Sequence, residues 1–241
     1  TIFILISKNT SSLLPTIVSR CQIIEFHPVD LSLMTSWLEE QNHLPLPASI
    51  LARLAKGCPG MVKGDRLGQL IENRELIFSI IEDWSKRGKL ALIEGAESIV
   101  SFLNREKKKK EKEMEKQFKK GKSGKNKTRQ ASTEESGETF DETMDSEEVK
   151  ADIEGKSRER LDGLLQICWD FFKDAALLQM GFSADKLIHA DRIDLIRTAA
   201  DKINHIEHHI LFLNQFHKQL LFSNVNQKLA LEMLFFNLFP V

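Results

Sequence analysis

The chain has 241 residues, 41% of them hydrophobic and 29% charged, with a formal net charge of −1, so it has room for one or two domains with real cores. No run approaches the roughly 18 apolar residues of a membrane helix, and the N-terminus lacks the basic region and cleavage site of a signal peptide. Cys21, Cys58 and Cys168 stand too far apart to suggest a disulfide framework or a thiolate zinc site; a soluble chain in a reducing cytoplasm fits.

Ile2-Phe3-Ile4-Leu5-Ile6 is continuously apolar and rich in β-branched residues, the pattern of a strand covered on both faces of a parallel sheet. Polar Ser7, Lys8 and Asn9 follow at its carboxyl end, where open α/β sheets place ligands. Ser11 and Ser12 are placed to cap a short helix ending by Ser19, and Gln22-Ile23-Ile24-Glu25-Phe26 reads as the next strand. Between helix and strand, Ser19-Arg20-Cys21 sets a permanent cation where it can reach outward. A helix-end contact or a pair with Glu25 is the structural alternative for Arg20.

After His27-Pro28, Asp30 predicts the N-cap of a helix carrying Leu31, Leu33, Met34, Trp37 and Leu38. A second helix follows Pro47, turns Ile50, Leu51, Leu54 and Ala55 inward, and stops at Lys56-Gly57. Pro59-Gly60 opens a third, with Leu67, Leu70 and Ile71, and Leu76, Ile77, Ile80, Ile81 and Trp84 stripe a fourth. The pattern is a compact helical bundle.

The small net charge averages two opposite blocks. Residues 105–129 hold thirteen Lys or Arg against four Glu, net +9, and residues 130–155 hold ten Asp or Glu against one Lys, net −9. Few large apolar side chains interrupt either block, which predicts a disordered or loosely helical insertion over roughly residues 106–156. The Lys-rich half is a candidate for DNA phosphates through counterion release; a solvated linker is the alternative.

Beyond the insertion, Leu161, Leu164, Leu165, Cys168, Phe171, Phe172, Ala175 and Leu178 recur on one face of a long helix. Asp191 is placed to cap a helix with Ile193, Leu195, Ile196, Ala199 and Ile203; another carries Ile206, Ile210, Leu213, Phe216 and Leu220. Asn226 predicts the cap of the last, whose Met233, Leu234, Phe235, Phe236, Leu238 and Phe239 exceed one stripe and predict contacts on more than one side. His205, His208, His209 and His217 crowd together, and His205 and His209 share the i, i+4 spacing of some metal sites. The His-Glu-x-x-His pattern is missing, so surface or interface histidines without a metal are expected. Nor does any Gly-x-x-x-x-Gly-Lys-Ser/Thr loop occur, so this chain is not expected to hydrolyse ATP by itself.

The apolar strand, the polar positions after it and Ser19-Arg20-Cys21 resemble the bacterial DNA polymerase III clamp loader subunits, which carry such features in an AAA+ ATPase-type module. In that family the arginine acts in trans on ATP bound by the neighbouring subunit. The resemblance therefore implies that Arg20 is an arginine finger, that Ser19 and Cys21 shape its turn, and that Ser7, Lys8 and Asn9 lie near sensor 1. The segment Leu51 to Met61 looks like the lid domain of these subunits, with Gly60 where ATP-binding members carry a sensor-2 arginine. Gly57-Cys58-Pro59-Gly60 resembles the delta-prime type, which does not hydrolyse ATP, more than the gamma or tau motors; a plain helix-to-helix turn is the alternative. Asn224-Val225-Asn226 followed by Leu229-Ala230-Leu231-Glu232 looks like the opening of the last collar helix.

The implied fold is mainly α: a two-stranded remnant of the AAA+ α/β module over residues 1–28, a helical lid domain and connecting helix over 29–104, the charged insertion over 105–157, and a helical collar, the oligomerisation domain, over 158–241. The implied function is that of a delta-prime-like subunit supplying its finger during sliding-clamp loading in DNA replication, as an accessory to the DNA polymerase (nucleotidyltransferase) holoenzyme. No cofactor is expected in this chain, ATP with Mg being held by the neighbour. The implied partners are the gamma/tau and delta subunits through the collar, the sliding clamp, and primer-template DNA through the complex, with no membrane. Two alternatives stand beside this reading: a gamma/tau motor fragment, or a helical nucleic-acid-binding protein led by its lysines. The upstream strands, nucleotide loop and zinc module that such subunits commonly carry do not occur in this sequence, so the resemblance implies a carboxyl-terminal fragment or an incomplete chain.

Overall fold

The computed structural model describes residues 2–7, 10–41, 43–125, 146–222 and 226–239. The order of α-helices is α1 (Pro15–Val18), α2 (Leu31–Glu39), α3 (Ala48–Ala55), α4 (Gly64–Arg87), α5 (Lys89–Lys125), α6 (Ser146–Gln179), α7 (Ile193–Ala200), α8 (Ile206–Phe222) and α9 (Gln227–Leu238). They fall into two units, residues 1–59 and 60–241.

In the N-terminal unit Pro15 opens α1, where its fixed φ suits the first helical position. The N-cap of α1 is Leu14, without a side-chain bond, so Ser11 and Ser12 do not cap it; they belong to a 3₁₀ turn over Thr10–Ser12. Asp30 does cap α2: its Oδ1 accepts from the Ser32 N–H at 2.9 Å and from Ser32 Oγ at 2.8 Å. Met34 and Leu38 of α2, and Ile50, Leu51, Leu54 and Ala55 of α3, are the buried apolar faces of this helix pair. Lys56 ends α3 with φ 49°, and Gly57 follows with φ 75°. A Cβ on Gly57 would stand 2.6 Å from Pro28 Cβ and 2.8 Å from Val29 O. Because the Val29 N–H donates to Gly57 O at 2.8 Å, glycine is what lets the end of α3 close on the segment entering α2.

The stretches expected as strands, 2–6 and 22–26, form no ladder among the described residues. A strand satisfies its N–H and C=O groups only against a neighbour, and neither stretch finds one in the other. Their apolar side chains face outward accordingly, with Ile2, Phe3, Ile4, Ile6 and Phe26 between 84% and 95% exposed. The mainly-α class holds, while its two-stranded part is replaced by irregular backbone. Lys8 and Asn9 lie outside the described residues.

In the C-terminal unit the third and fourth expected helices are one continuous helix, α4. The polar run Glu72-Asn73-Arg74-Glu75 reads as an interruption, yet Asn73 and Arg74 are buried and no Gly or Pro breaks the run. Gly88, at φ 70°, turns the chain from α4 into α5. A Cβ on Gly95 would stand 2.7 Å from Ile80 Cγ2 and one on Gly163 2.6 Å from Asn73 Nδ2, so these glycines set how closely α5 and α6 approach α4. Residues 105–125 and 146–157, expected to be disordered or loosely helical, are the ends of α5 and α6. Lys and Glu are good helix formers, and Leu103 and Ile153 are already buried where these helices pack. Residues 126–145 lie outside the described ones.

The core gathers Phe78 and Trp84 from α4, Leu92 and Ile99 from α5, Phe171 and Phe172 from α6, and Leu234 and Phe235 from α9. Phe239, just past α9, lies at the centre of an aromatic group, 4.8 Å from Trp84, 5.4 Å from Phe172 and 6.2 Å from Phe171 between ring centroids. As expected, α9 has contacts on more than one side: Leu231, Leu234, Phe235 and Leu238 are buried while Met233 and Phe236 remain partly exposed. Its Asn226 cap accepts from Lys228 N at 3.1 Å and Leu229 N at 3.4 Å. Truncating Phe239→Ala is expected to cost the C-terminal unit about 3–5 kcal/mol, read as a lowered midpoint in urea denaturation followed by circular dichroism.

Candidate functional site

Ser19, Arg20 and Cys21 sit where α1 runs out, and their backbone is tied down by its last turn. Ser19 N–H donates to Pro15 O at 2.9 Å, Arg20 N–H to Ile17 O at 3.1 Å and Cys21 N–H to Val18 O at 3.2 Å; Ser19 Oγ donates to Thr16 O at 3.3 Å. The Arg20 side chain is exposed and forms no ion pair among the described residues. Glu25, its alternative partner, lies instead 3.9 Å from His27 Nε2. The result is a fixed turn presenting a guanidinium to solvent. Ser7 ends the irregular segment 2–7, and Gly60 lies in a 3₁₀ turn over Pro59–Val62.

A second polar group is buried in the C-terminal unit. Arg74, fully buried in α4, donates from Nη2 to both carboxylate oxygens of Asp191, at 2.6 and 2.7 Å. Its Nε donates to His189 Nδ1 at 3.2 Å, which makes that ring nitrogen an acceptor. The guanidinium also lies 5.2 Å above the Phe78 ring. Asp191, expected to cap α7, is therefore the partner of Arg74; the α7 N-cap is Arg192, without a side-chain bond. Asp174 of α6 accepts from the backbone N–H of Ile188 at 2.9 Å and of His189 at 2.8 Å. These bonds pin the loop between α6 and α7 onto α4 and α6, a fastening role. Sequence reasoning missed Arg74 and Asp174, although both interrupt apolar stripes: Arg74 precedes Ile77 and Phe78 by one turn, and Asp174 sits beside Phe171, Phe172 and Ala175.

Burial pushes the Asp174 carboxyl up to about 6, against the opposing pull of the two backbone N–H groups. A carboxyl raised in the folded state holds its proton where the unfolded chain has lost it, so its contribution to stability is present at low pH and lost as pH rises through about 6. Stability is thus expected to fall by roughly 2–3 kcal/mol from this group between about pH 4 and 7. Urea midpoints measured across that range should show the component in the wild type and lose it in Asp174→Asn.

The histidines part company. His205, at φ 53°, precedes α8 rather than lying in it, so the expected shared face with His209 does not form. His209 is placed 3.0 Å from Asn237 O and 3.1 Å from Asn204 O, and His217 2.5 Å from Asp162 Oδ1. His205, Glu207 and His208 bring three potential ligand atoms within 4.8 Å of one another, all exposed. Exposed carboxylates and imidazoles cluster in this way without an ion, and Glu207 is occupied with His205 at 3.4 Å. Beside His217 a cavity of about 220 Å³ opens between Leu165, Trp169 and Leu213.

Cys168 is buried, and burial pushes its thiol up to about 12, with Asp170 adding to the effect; Cys21 and Cys58 are exposed. Thiol titration of the native chain should modify the latter two quickly and Cys168 only after denaturant is added.

Two segments of the chain match known families. Residues 1–30 match the family model described as DNA polymerase III, delta subunit, and residues 148–238 that described as DNA polymerase III, delta subunit, C terminal. No curated protein and no solved structure matches the chain. The two matches, one at the exposed turn and one across the helical core, support the DNA polymerase III clamp loader family. Both matched families are described as delta subunits of DNA polymerase III.

Proposed function

We propose that the chain serves as a delta-prime-like clamp loader subunit, with Arg20 reaching in trans to ATP bound by a neighbouring subunit. The observation that carries this reading is the exposed guanidinium of Arg20 on a backbone fixed by α1, inside the segment matched to the delta family. A planar, permanently charged fork suits the charge that develops on a transferring phosphoryl group. Ser19 and Cys21 hold the turn; they do not touch the nucleotide. ATP and Mg belong to the neighbour's site. Residues 158–241 act as the collar that joins the gamma/tau and delta subunits, and the assembled complex, in the cytoplasm, loads the sliding clamp onto primer-template DNA.

This reading is tested by reconstituting the full complex with Arg20→Ala and Arg20→Lys. Assembly should be retained by gel filtration, and clamp-stimulated, DNA-dependent ATP turnover should fall about tenfold or more in both, since lysine keeps the charge and loses the fork. Unchanged turnover in Arg20→Ala would remove the finger assignment.

A further inference from the structure

Where α4, α5 and α6 meet near their polar ends, a cavity of about 170 Å³ is walled by Arg66, Lys107, Lys110, Lys156 and Arg160. Two carboxylates, Glu106 and Glu159, share that wall, as do Leu103 and Ile153 at its apolar side. Lys156 is turned to Asp152, one helical turn back, and Arg160 gives one nitrogen, Nη2, to Glu72. Arg66, Lys107 and Lys110 form no ion pair among the described residues.

Arg160 is the unusual member. Its residue is 7% exposed, its Cζ lies 4.9 Å from the centre of the Phe102 ring, and its Nε and Nη1 have no hydrogen-bond partner among the described residues. Buried donors in native proteins are paired with few exceptions, and a buried guanidinium with two idle donors beside three unpaired cations is an arrangement waiting for an anion. A tetrahedral oxyanion suits it: guanidinium donors match phosphate geometry, and lysine ammonium groups close from the rim as mobile point charges.

We propose that this cavity binds a phosphate group carried by a nucleic-acid strand. The strand is favoured over a free anion by what leaves the cavity. Helix α5 runs on from Lys107 and Lys110 to Lys125, through a block of the sequence that is net +9 over residues 105–129. Regularly spaced phosphates along one strand would occupy the cavity and engage that basic block of the sequence together, each contact releasing counterions. The site lies within the C-terminal unit, and the proposal does not depend on the role of Arg20.

The test compares two double substitutions of equal charge on the same helix. Lys107→Gln with Lys110→Gln removes two cations from the cavity wall; Lys108→Gln with Lys109→Gln removes two that are exposed and outside it. Binding of a fluorescein-labelled oligothymidylate to the full chain, followed by anisotropy at fixed ionic strength, should weaken about tenfold for the first pair and about twofold for the second. Arg160→Lys, checked for folding by its thermal melt, should weaken binding while leaving net charge unchanged. Inorganic phosphate should displace the oligonucleotide from the wild type more effectively than an equal ionic strength of chloride. Equal losses for the two lysine pairs would overturn the proposal, because binding would then follow charge alone. Phosphate binding without oligonucleotide binding would overturn it too, assigning the cavity to a free anion.

Discussion

Phe171 and Phe172 are consecutive and both fully buried. Successive side chains leave a helix about 100° apart, so α6 has to be covered across an arc much wider than a single stripe. The C-terminal unit is arranged to supply that cover: α4, α5, α7 and α8 all pack on α6, and Phe239 completes the cover from beyond α9. Close approach is what makes such a cover dense, and Gly95 and Gly163 permit it where a methyl group would collide with Ile80 or Asn73.

Polar residues enter the same interior under strict conditions. Arg74 is tolerated because Asp191, His189 and the Phe78 face surround its guanidinium, and Asp174 because two backbone N–H groups converge on its carboxyl. Arg160 meets only part of that condition within the described residues, since Glu72 and Phe102 leave two of its nitrogens idle. The contrast separates a charge used to fasten the fold from one held ready for a ligand.

A cap set directly before an apolar stripe is legible in the sequence, whereas Ser11 and Ser12, further from Pro15, do not cap α1, and partners far along the chain leave no local signal. Asp30 and Asn226 each sit directly before an apolar stripe and both cap, because a cap is decided within three residues. Asp191 has the same local look, yet its carboxylate is taken by Arg74, 117 positions away. The polarity of Glu72 to Glu75 divides α4 in the sequence pattern and hides that Asn73 and Arg74 are buried. Ile2 to Ile6 has the composition of a strand, but a strand is a property of a pair, and composition does not name the partner. For the candidate site, the outward arginine of Ser19-Arg20-Cys21 was legible from position, whereas the cavity around Arg160 depends on three helices brought together by the core.

The segment between α6 and α7 has the composition of a surface connection, with Gly181, Ser183 and Asp185 near its start. It is fastened at Ile188 and His189 by Asp174, and at Asp191 by Arg74. Loops of this composition ordinarily drift in length among relatives without harm. Here an added or missing residue before Ile188 would have to be absorbed ahead of that first fastening, and one between Ile188 and Asp191 would pull either the carboxylate or the guanidinium out of register. Length polymorphism in this chain should therefore be concentrated away from that connection, and its spacing, more than its residue types, is what selection would hold constant.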